Sequence, residues 1–397
     1  MKRMPLLLFV SFAALLLGGC SSLGPGRNID GNVPLNKAVT EVAENQLLDV
    51  WIELFDPGEL PEDEDDAMGL SMDIRGAEAR YMPEQLRTAM EATGYWGAVR
   101  VVPQNTEGAE LLVKGTILES DGAQLELEIT AQDATGREWF NRNYEEDIEA
   151  DAYRRSESSG EDVFHSLYHA IANDLAAFRQ KLTTKEIVTI QQVAELRFAA
   201  DLSPDAFDGY LELDSDGGYS VVRLPADDEP MFRRVLVIRD RDFLLIDTLN
   251  GHFDNFTREM DVPYTEWRKS RTEEAEALRK VENDALKRKL IGAAAILGAV
   301  VLESSNGGNY GTSVLRDSLI LGGAYAIKSG FDRDSETDIH RDTIIELDES
   351  FSSEARPLVV EVEGEVHELT GSAEAQYAQW RALLKRIYAS ETGFAGS

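Results

Sequence analysis

Two histidines, His165 and His169, stand four residues apart, the spacing that sets two imidazole rings on one face of a helix. Zinc peptidases use that spacing with a glutamate directly after the first histidine as general base. Here Ser166 holds that position and no third ligand accompanies the pair, which therefore reads as two polar residues on a helix flank. His252, His340 and His367 are isolated. Acidic residues offer two other openings. Residues 56–66 hold seven carboxylates and no base, and 214–218 reads Asp-Ser-Asp-Gly-Gly. A calcium loop needs alternating acids, a glycine and a closing glutamate at fixed places, and neither stretch has them. No GxSxG elbow, GxxxxGK phosphate loop or GxGxxG fingerprint appears. No catalytic residue, cofactor site or metal ligand is assigned, and paired carboxylates become informative only once geometry is known.

One residue does point to definite chemistry. The only cysteine, Cys20, follows a basic start (Lys2, Arg3), an apolar run over 6–17 and the small residues Gly18 and Gly19. Charge, a short apolar core and small residues at a cleavage point make a secretory signal over 1–19, too short to span a bilayer. The segment Leu17-Gly18-Gly19-Cys20 resembles the lipobox of bacterial lipoproteins. That resemblance implies cleavage before Cys20, a diacylglycerol on its thiol and an acyl chain, commonly palmitate, on its amine. Ser21 in the next position resembles the sorting signal that directs Gram-negative lipoproteins to the outer membrane, facing the periplasm. Two or three acyl chains anchor a protein stably, at roughly 0.8 kcal/mol per buried methylene. Residues 20–36, rich in Gly, Ser, Pro and Asn, read as a flexible tether.

The elements that follow suggest an α+β fold in three parts. Over 37–183, a short helix near 39–48, a strand at 50–55, a helix opening at Pro83 and closing at Gly94, and a strand at 96–102 precede a meander at 111–118, 124–129 and 137–144. Phe164, Leu167, Ile171, Leu175, Phe178 and Leu182 then trace the clearest amphipathic helix, with a start signal at Ser159-Gly160-Glu161-Asp162. By element order, residues 45–182 resemble the small αβ domains of outer-membrane lipoproteins related to the curli-secretion protein and the N-terminal domain of the Tol-system propeller protein. That likeness implies a two-layer αβ domain. Over 184–262, a helix at 185–200 and a short one after Ser203 lead to a hairpin at 210–213 and 219–224. Strands at 234–239 and 243–248, turning over Asp240-Arg241-Asp242, would complete a small β-rich middle domain.

The last part, 263–397, begins with a charged helix over 265–290 that ends in Lys287-Arg288-Lys289. Thirteen apolar residues or glycines follow at 290–302, then a Gly/Asn-rich link at 304–311 and a second apolar stretch at 319–327. Neither reaches the ~20 residues of a membrane span. Small residues recur at four-residue steps: Ala294 and Gly298 in the first, Gly322, Ala326 and Gly330 in the second. Such rows let helix backbones approach closely, so a helical hairpin that packs on itself, on a second copy or into a bilayer is expected. A hairpin at 359–362 and 366–369 and a final helix capped by Ser372, burying Tyr377, Trp380, Leu384 and Ile387, close the chain.

Composition sets the limits. With 39 Lys plus Arg against 73 Asp plus Glu, the 397 residues carry a formal charge of −34, which disfavours nucleic acid as a partner. One cysteine excludes a disulfide framework. The expectation is a lipid-anchored envelope protein acting by protein–protein contact, as a homo-oligomer or with another envelope protein. A membrane-inserting oligomer using 290–327, and an envelope hydrolase using carboxylates, are the alternatives.

Overall fold

The computed structural model describes residues 26–60, 70–103, 108–226, 228–302, 334–353, 358–362 and 365–392. The fold is α+β, built on a mixed six-stranded sheet. Its strands are β1 (Arg27–Ile29), β2 (Val50–Glu53), β3 (Val99–Val102), β4 (Leu111–Ser120), β5 (Gln124–Asp133) and β6 (Glu138–Asp147), side by side in the order β1-β6-β5-β4-β2-β3. The meander β4–β5–β6 is antiparallel, while β2 runs parallel to both β4 and β3, and β1 parallel to β6.

Alternation along β5 explains the layering. Leu125, Leu127, Ile129 and Ala131 are buried on one face, while Glu126 and Glu128 on the other accept hydrogen bonds from the Asn143 and Asn141 amides. The apolar face is covered by helices α1 (Met72–Thr93), packed on β2, β3 and β4, and α3 (His165–Arg179), packed on β1 and β6. Gly115 in β4 leaves room for the Phe55 ring, which would lie 2.6 Å from a Cβ there. The short α2 (Asp151–Ser159) precedes α3; α4 (Thr184–Leu202) and the one-turn α5 (Pro204–Phe207) follow it. A small hairpin, β7 (Leu211–Leu213) with β8 (Tyr219–Val221), leads into α6 (Pro230–Leu302). Then come α7 (Asp334–Ser353), the hairpin β9 (Leu358–Val362) and β10 (Glu365–Leu369), and α8 (Ala373–Thr392). Ser372 caps α8 through the Ala375 amide, and Tyr377, Trp380, Leu384 and Ile387 are buried as their spacing predicts.

Several expectations are corrected. The strand pair at 234–239 and 243–248 does not exist; α6 runs straight through it and across position 262, so no β-rich middle domain forms beyond the three-residue strands of β7 and β8. The buried residues Val235, Ile238, Asp242, Leu245, Leu249, Phe253, Phe256, Met260, Tyr264 and Trp267 follow steps of three and four, the period of a helix facing a core. One buried cluster holds residues from all three sequence-based divisions. Near the start, residues 39–48 contribute only a 3-10 turn at Glu44–Gln46. Helix α1 begins eleven residues before Pro83, at Met72, with the Ser71 hydroxyl accepting the Ile74 amide. Pro83 cannot bond the Ala79 carbonyl four residues back, and the amide of Phe55, just after β2, takes that carbonyl instead at 3.0 Å. The start signal at 159–162 is also displaced: Gly160 closes α2, and α3 begins at His165 without a side-chain cap.

The expected flexible tether is corrected as well, because residues 27–36 are fastened to the body. Arg27, Asn28 and Ile29 pair in register with Tyr144, Glu145 and Glu146. Asp174 of α3 accepts hydrogen bonds from Arg27 at 2.6 Å and from the Tyr144 hydroxyl at 2.9 Å. Beyond β1, three α3 side chains hold the backbone: Ser166 accepts the Val33 amide, His169 bonds the Val33 carbonyl at 2.9 Å, and Asn173 accepts the Asn36 amide while donating to the Pro34 carbonyl. Positions 166, 169 and 173 lie on one helix stripe. Replacing Asn173 with Ala removes two of these bonds. A loss of about 1–3 kcal/mol of stability is expected, with faster hydrogen exchange at the Asn36 amide than at β5 amides. Unchanged exchange at Asn36 would contradict the strap.

Candidate functional site

The structure places two polar assemblies where α6 crosses the sheet. The first is an open cleft of about 310 Å³ between the C-terminal half of α1, β3 and α6. Its cations are Arg87, ion-paired with Glu84, Glu91 and Asp254, and Arg100, ion-paired with Asp49 and Asp247. Phe243 stacks under Arg100, 4.6 Å from the guanidinium carbon to the ring centre. Asn250 on α6 lies at the cleft's floor, accepting the Val101 amide at 2.8 Å and donating to the Val101 carbonyl at 2.7 Å. One side chain thereby satisfies both backbone groups that an edge strand would otherwise leave open.

Charge matching in the cleft argues for architecture. Each guanidinium already has two or three carboxylates of the chain itself, so an incoming anion must compete with them. Burial raises the Glu84 carboxyl to about 7 against the pull of Arg87, but Glu84 sits behind Arg87 and does not line the cleft. No histidine, serine or cysteine lines it, and the carboxylates that do, Glu91, Asp247 and Asp254, are ion-paired with Arg87 or Arg100.

The second assembly is buried beneath α6. Arg268 is 1% exposed and donates to Asp162 at 2.7 Å. Asp162, in the turn between α2 and α3, also accepts the Phe164 amide and the Tyr81 hydroxyl. Burial works to raise its pKa, but Arg268 and these donors hold it below the usual carboxylate range. The Tyr264 ring lies against the Arg268 guanidinium at 4.1 Å. Its hydroxyl donates to Glu78 of α1 at 2.7 Å, and Ser120 donates to the same oxygen at 2.6 Å. Desolvation raises the Glu78 pKa, opposed by Arg75 and these hydrogen bonds. Arg75 is 1% exposed and lies 3.8 Å from Glu78. Among the described residues none of its three guanidinium nitrogens finds a hydrogen-bond acceptor. At Gly122, in the turn between β4 and β5, a Cβ would stand 2.6 Å from the Arg268 carbonyl, and its φ of +96° favours glycine further. The turn and α6 therefore meet backbone to backbone.

The sequence-based site residues fall elsewhere. Cys20, Gly322, Ala326 and Gly330 lie outside the described residues, as do the second apolar stretch at 319–327 and most of the acid-rich run. Ala294 and Gly298 fall in the helical backbone of α6. His165 and His169 do stand together, rings 5.4 Å apart, but both turn to backbone carbonyls, of Asp162 and Val33. Among the described residues, no group of three or more His, Cys, Asp or Glu side chains is placed to hold a metal, and no helix is long and apolar enough to cross a membrane. Sequence reading missed the Asp162–Arg268 and Glu78–Tyr264 contacts, whose partners are more than a hundred residues apart. The one local hint was Tyr264, Trp267 and Arg268 falling on a single helix face within a charged stretch. No family model, curated protein or solved structure matches this chain.

Three buried acids give the molecule a specific pH response. Burial raises Glu146 to about 8 despite the Leu167 amide it accepts, and raises Glu84 and Glu110 to about 7. A carboxyl whose folded pKa lies above its unfolded value favours the fold at low pH, and that share is lost as pH rises toward the folded pKa. Asp162 acts oppositely, but only below about pH 4. The thermal midpoint is therefore expected to be higher at pH 5.5 than at pH 8.5. In Glu146→Gln, which keeps an acceptor for Leu167, the decline should shrink by on the order of 2–4 kcal/mol. A midpoint that rises with pH over this range would refute the assignment.

Proposed function

We propose that this chain is a lipid-anchored cell-envelope protein of a Gram-negative bacterium, held at the outer membrane through Cys20 and facing the periplasm. It acts by protein–protein contact, as a structural, assembly or transport-accessory component. The observation that carries the reading is the strap: the fold takes hold of the chain at Arg27, only seven residues after the cysteine of the lipobox-like segment. A body gripping its own N-terminus beside an acylation signal suits a protein that must stay where its lipid is. The polar cleft supports contact over catalysis, since its guanidiniums and the carboxylates that line it are engaged with one another.

Two measurements test this. In cells fed labelled palmitate, the wild-type chain should incorporate label and sediment with outer membranes, whereas Cys20→Ala should take up none and shift to the soluble fraction. Label retained by the variant would overturn the anchor. Contact between copies is tested by the solution mass of residues 21–397, with and without Gly298→Leu plus Gly322→Leu. The wild-type fragment should form a defined oligomer, and leucine at these small-residue positions should keep the helices apart and yield monomer. An oligomer indifferent to both substitutions would remove these residues from the interface.

A further inference from the structure

We infer that the β1–β6 edge of the sheet, with the strap and the outer side of α3, is the face the protein turns to the bilayer. The Arg87–Arg100 cleft is correspondingly presented away from it. This rests on the reading of Cys20 as the lipid anchor, and on three observations.

The first is tether length. With residues 27–36 free, the sixteen residues after Cys20 could reach ~55 Å and would leave the body able to turn any side to the membrane. With Arg27 fixed in the sheet by its pairing with Tyr144 and its ion pair with Asp174, seven residue steps remain, at most ~25 Å. The second is where the tether enters. β1 is an edge strand, and β3 is the opposite edge of the six. Five strand spacings of ~4.8 Å set these edges ~24 Å apart, with α6 lying against β3 at the far side. The third is where the cleft lies. Arg100 on β3, and Asp247, Asn250 and Gly251 on α6, line it at the edge farthest from β1. A tether no longer than the sheet is wide, attached at one edge, biases the body to stand edge-on. A partner approaching from the periplasm would then meet the β3–α6 side.

Cysteine usage makes this measurable. Acylation consumes the only thiol, so a cysteine introduced by Asp30→Cys or Gly251→Cys is the sole site for a fluorescent donor. Asp30 is exposed just after β1, and Gly251 is exposed on α6 with no atom within 4 Å of a Cβ built there. The full acylated chain is reconstituted into vesicles of phosphatidylethanolamine and phosphatidylglycerol carrying a headgroup acceptor. Energy transfer should be roughly twofold or more as efficient from position 30 as from position 251, given the strand spacings between the two edges. Equal transfer, or stronger transfer from 251, in chains shown by mass to be acylated would overturn the orientation and leave the anchor standing. A mass showing unmodified Cys20 in the membrane-extracted protein would overturn the anchor and, with it, this inference.

Discussion

The buried ion pair between Asp162 and Arg268 is the contact on which the placement of α6 depends. Taking either charge out of water alone costs several kcal/mol, so each needs its partner and further polar or aromatic contacts. Three elements supply these: the Phe164 amide and Tyr81 hydroxyl bond the carboxylate, and the rings of Tyr264, Tyr81 and Phe164 surround the guanidinium, whose Nε has no hydrogen-bond partner among the described residues. Sliding α6 by one residue would turn it ~100° and lift it ~1.5 Å, which would carry Arg268 out of reach. The pair therefore sets both rotation and register of the helix. Asn250 lies five turns earlier on the same face and meets Val101 of β3. Asp242, two turns further back and 0% exposed, accepts hydrogen bonds from Tyr377, Trp380 and Arg381 of α8. One polar row on one helix thus joins the sheet edge, α1, the α2–α3 turn and the C-terminal helix.

The same row shows why α6 was hard to read. Residues 234–248 hold two short apolar runs, 235–238 and 243–246, that mimic two strands, and Asp240-Arg241-Asp242 between them looks like a solvated turn. Local periodicity weighs Asp242 as polar and therefore exposed, yet it belongs to the buried stripe once the aromatic and basic side chains of α8 supply its partners. The alternating meander and the α8 stripe were legible because most of their buried positions are apolar, with Ser120, Asp133 and Glu146 falling toward the strand ends and Gln376 in the first turn of α8, so the period survives. The start of α1 was hidden by Pro83, which local rules place in a first turn. Here it is tolerated eleven residues in because the carbonyl it orphans is taken up by Phe55, a tertiary contact no local rule contains.

The strap was misread for a related reason. Gly, Ser, Pro and Asn over 20–36 carry little apolar surface, and such composition describes both a free linker and a segment tied down by backbone hydrogen bonds. What separates them is the partner, and the partner is the Ser166, His169, Asn173 stripe of α3, more than 130 residues away in sequence. The histidine pair that invited a metal reading is thereby explained in part: His169 serves a strap carbonyl, and His165 the turn that presents Asp162.

The two flanks of the sheet are secured by different means. At β3 a side-chain amide from α6 occupies the Val101 backbone, aided by Arg100 held between Asp49 and Asp247. At β6 the chain's own N-terminal segment supplies three residues of parallel strand, too few to persist without Asp174, Asn173 and the rest of the α3 stripe. The asymmetry has a consequence for the proposed anchor. A helix covering an edge acts on that edge and nothing more, whereas a strand drawn from the N-terminal segment also fixes chain that would otherwise lead freely to the body. Were Cys20 acylated as proposed, each α3 contact that holds residues 33–36 would both stabilise the fold and shorten the lead to the lipid, and a pull on that lipid would oppose the same contacts. The position of the body and the integrity of its β1 edge would then be coupled through a few hydrogen bonds of about 1 kcal/mol each.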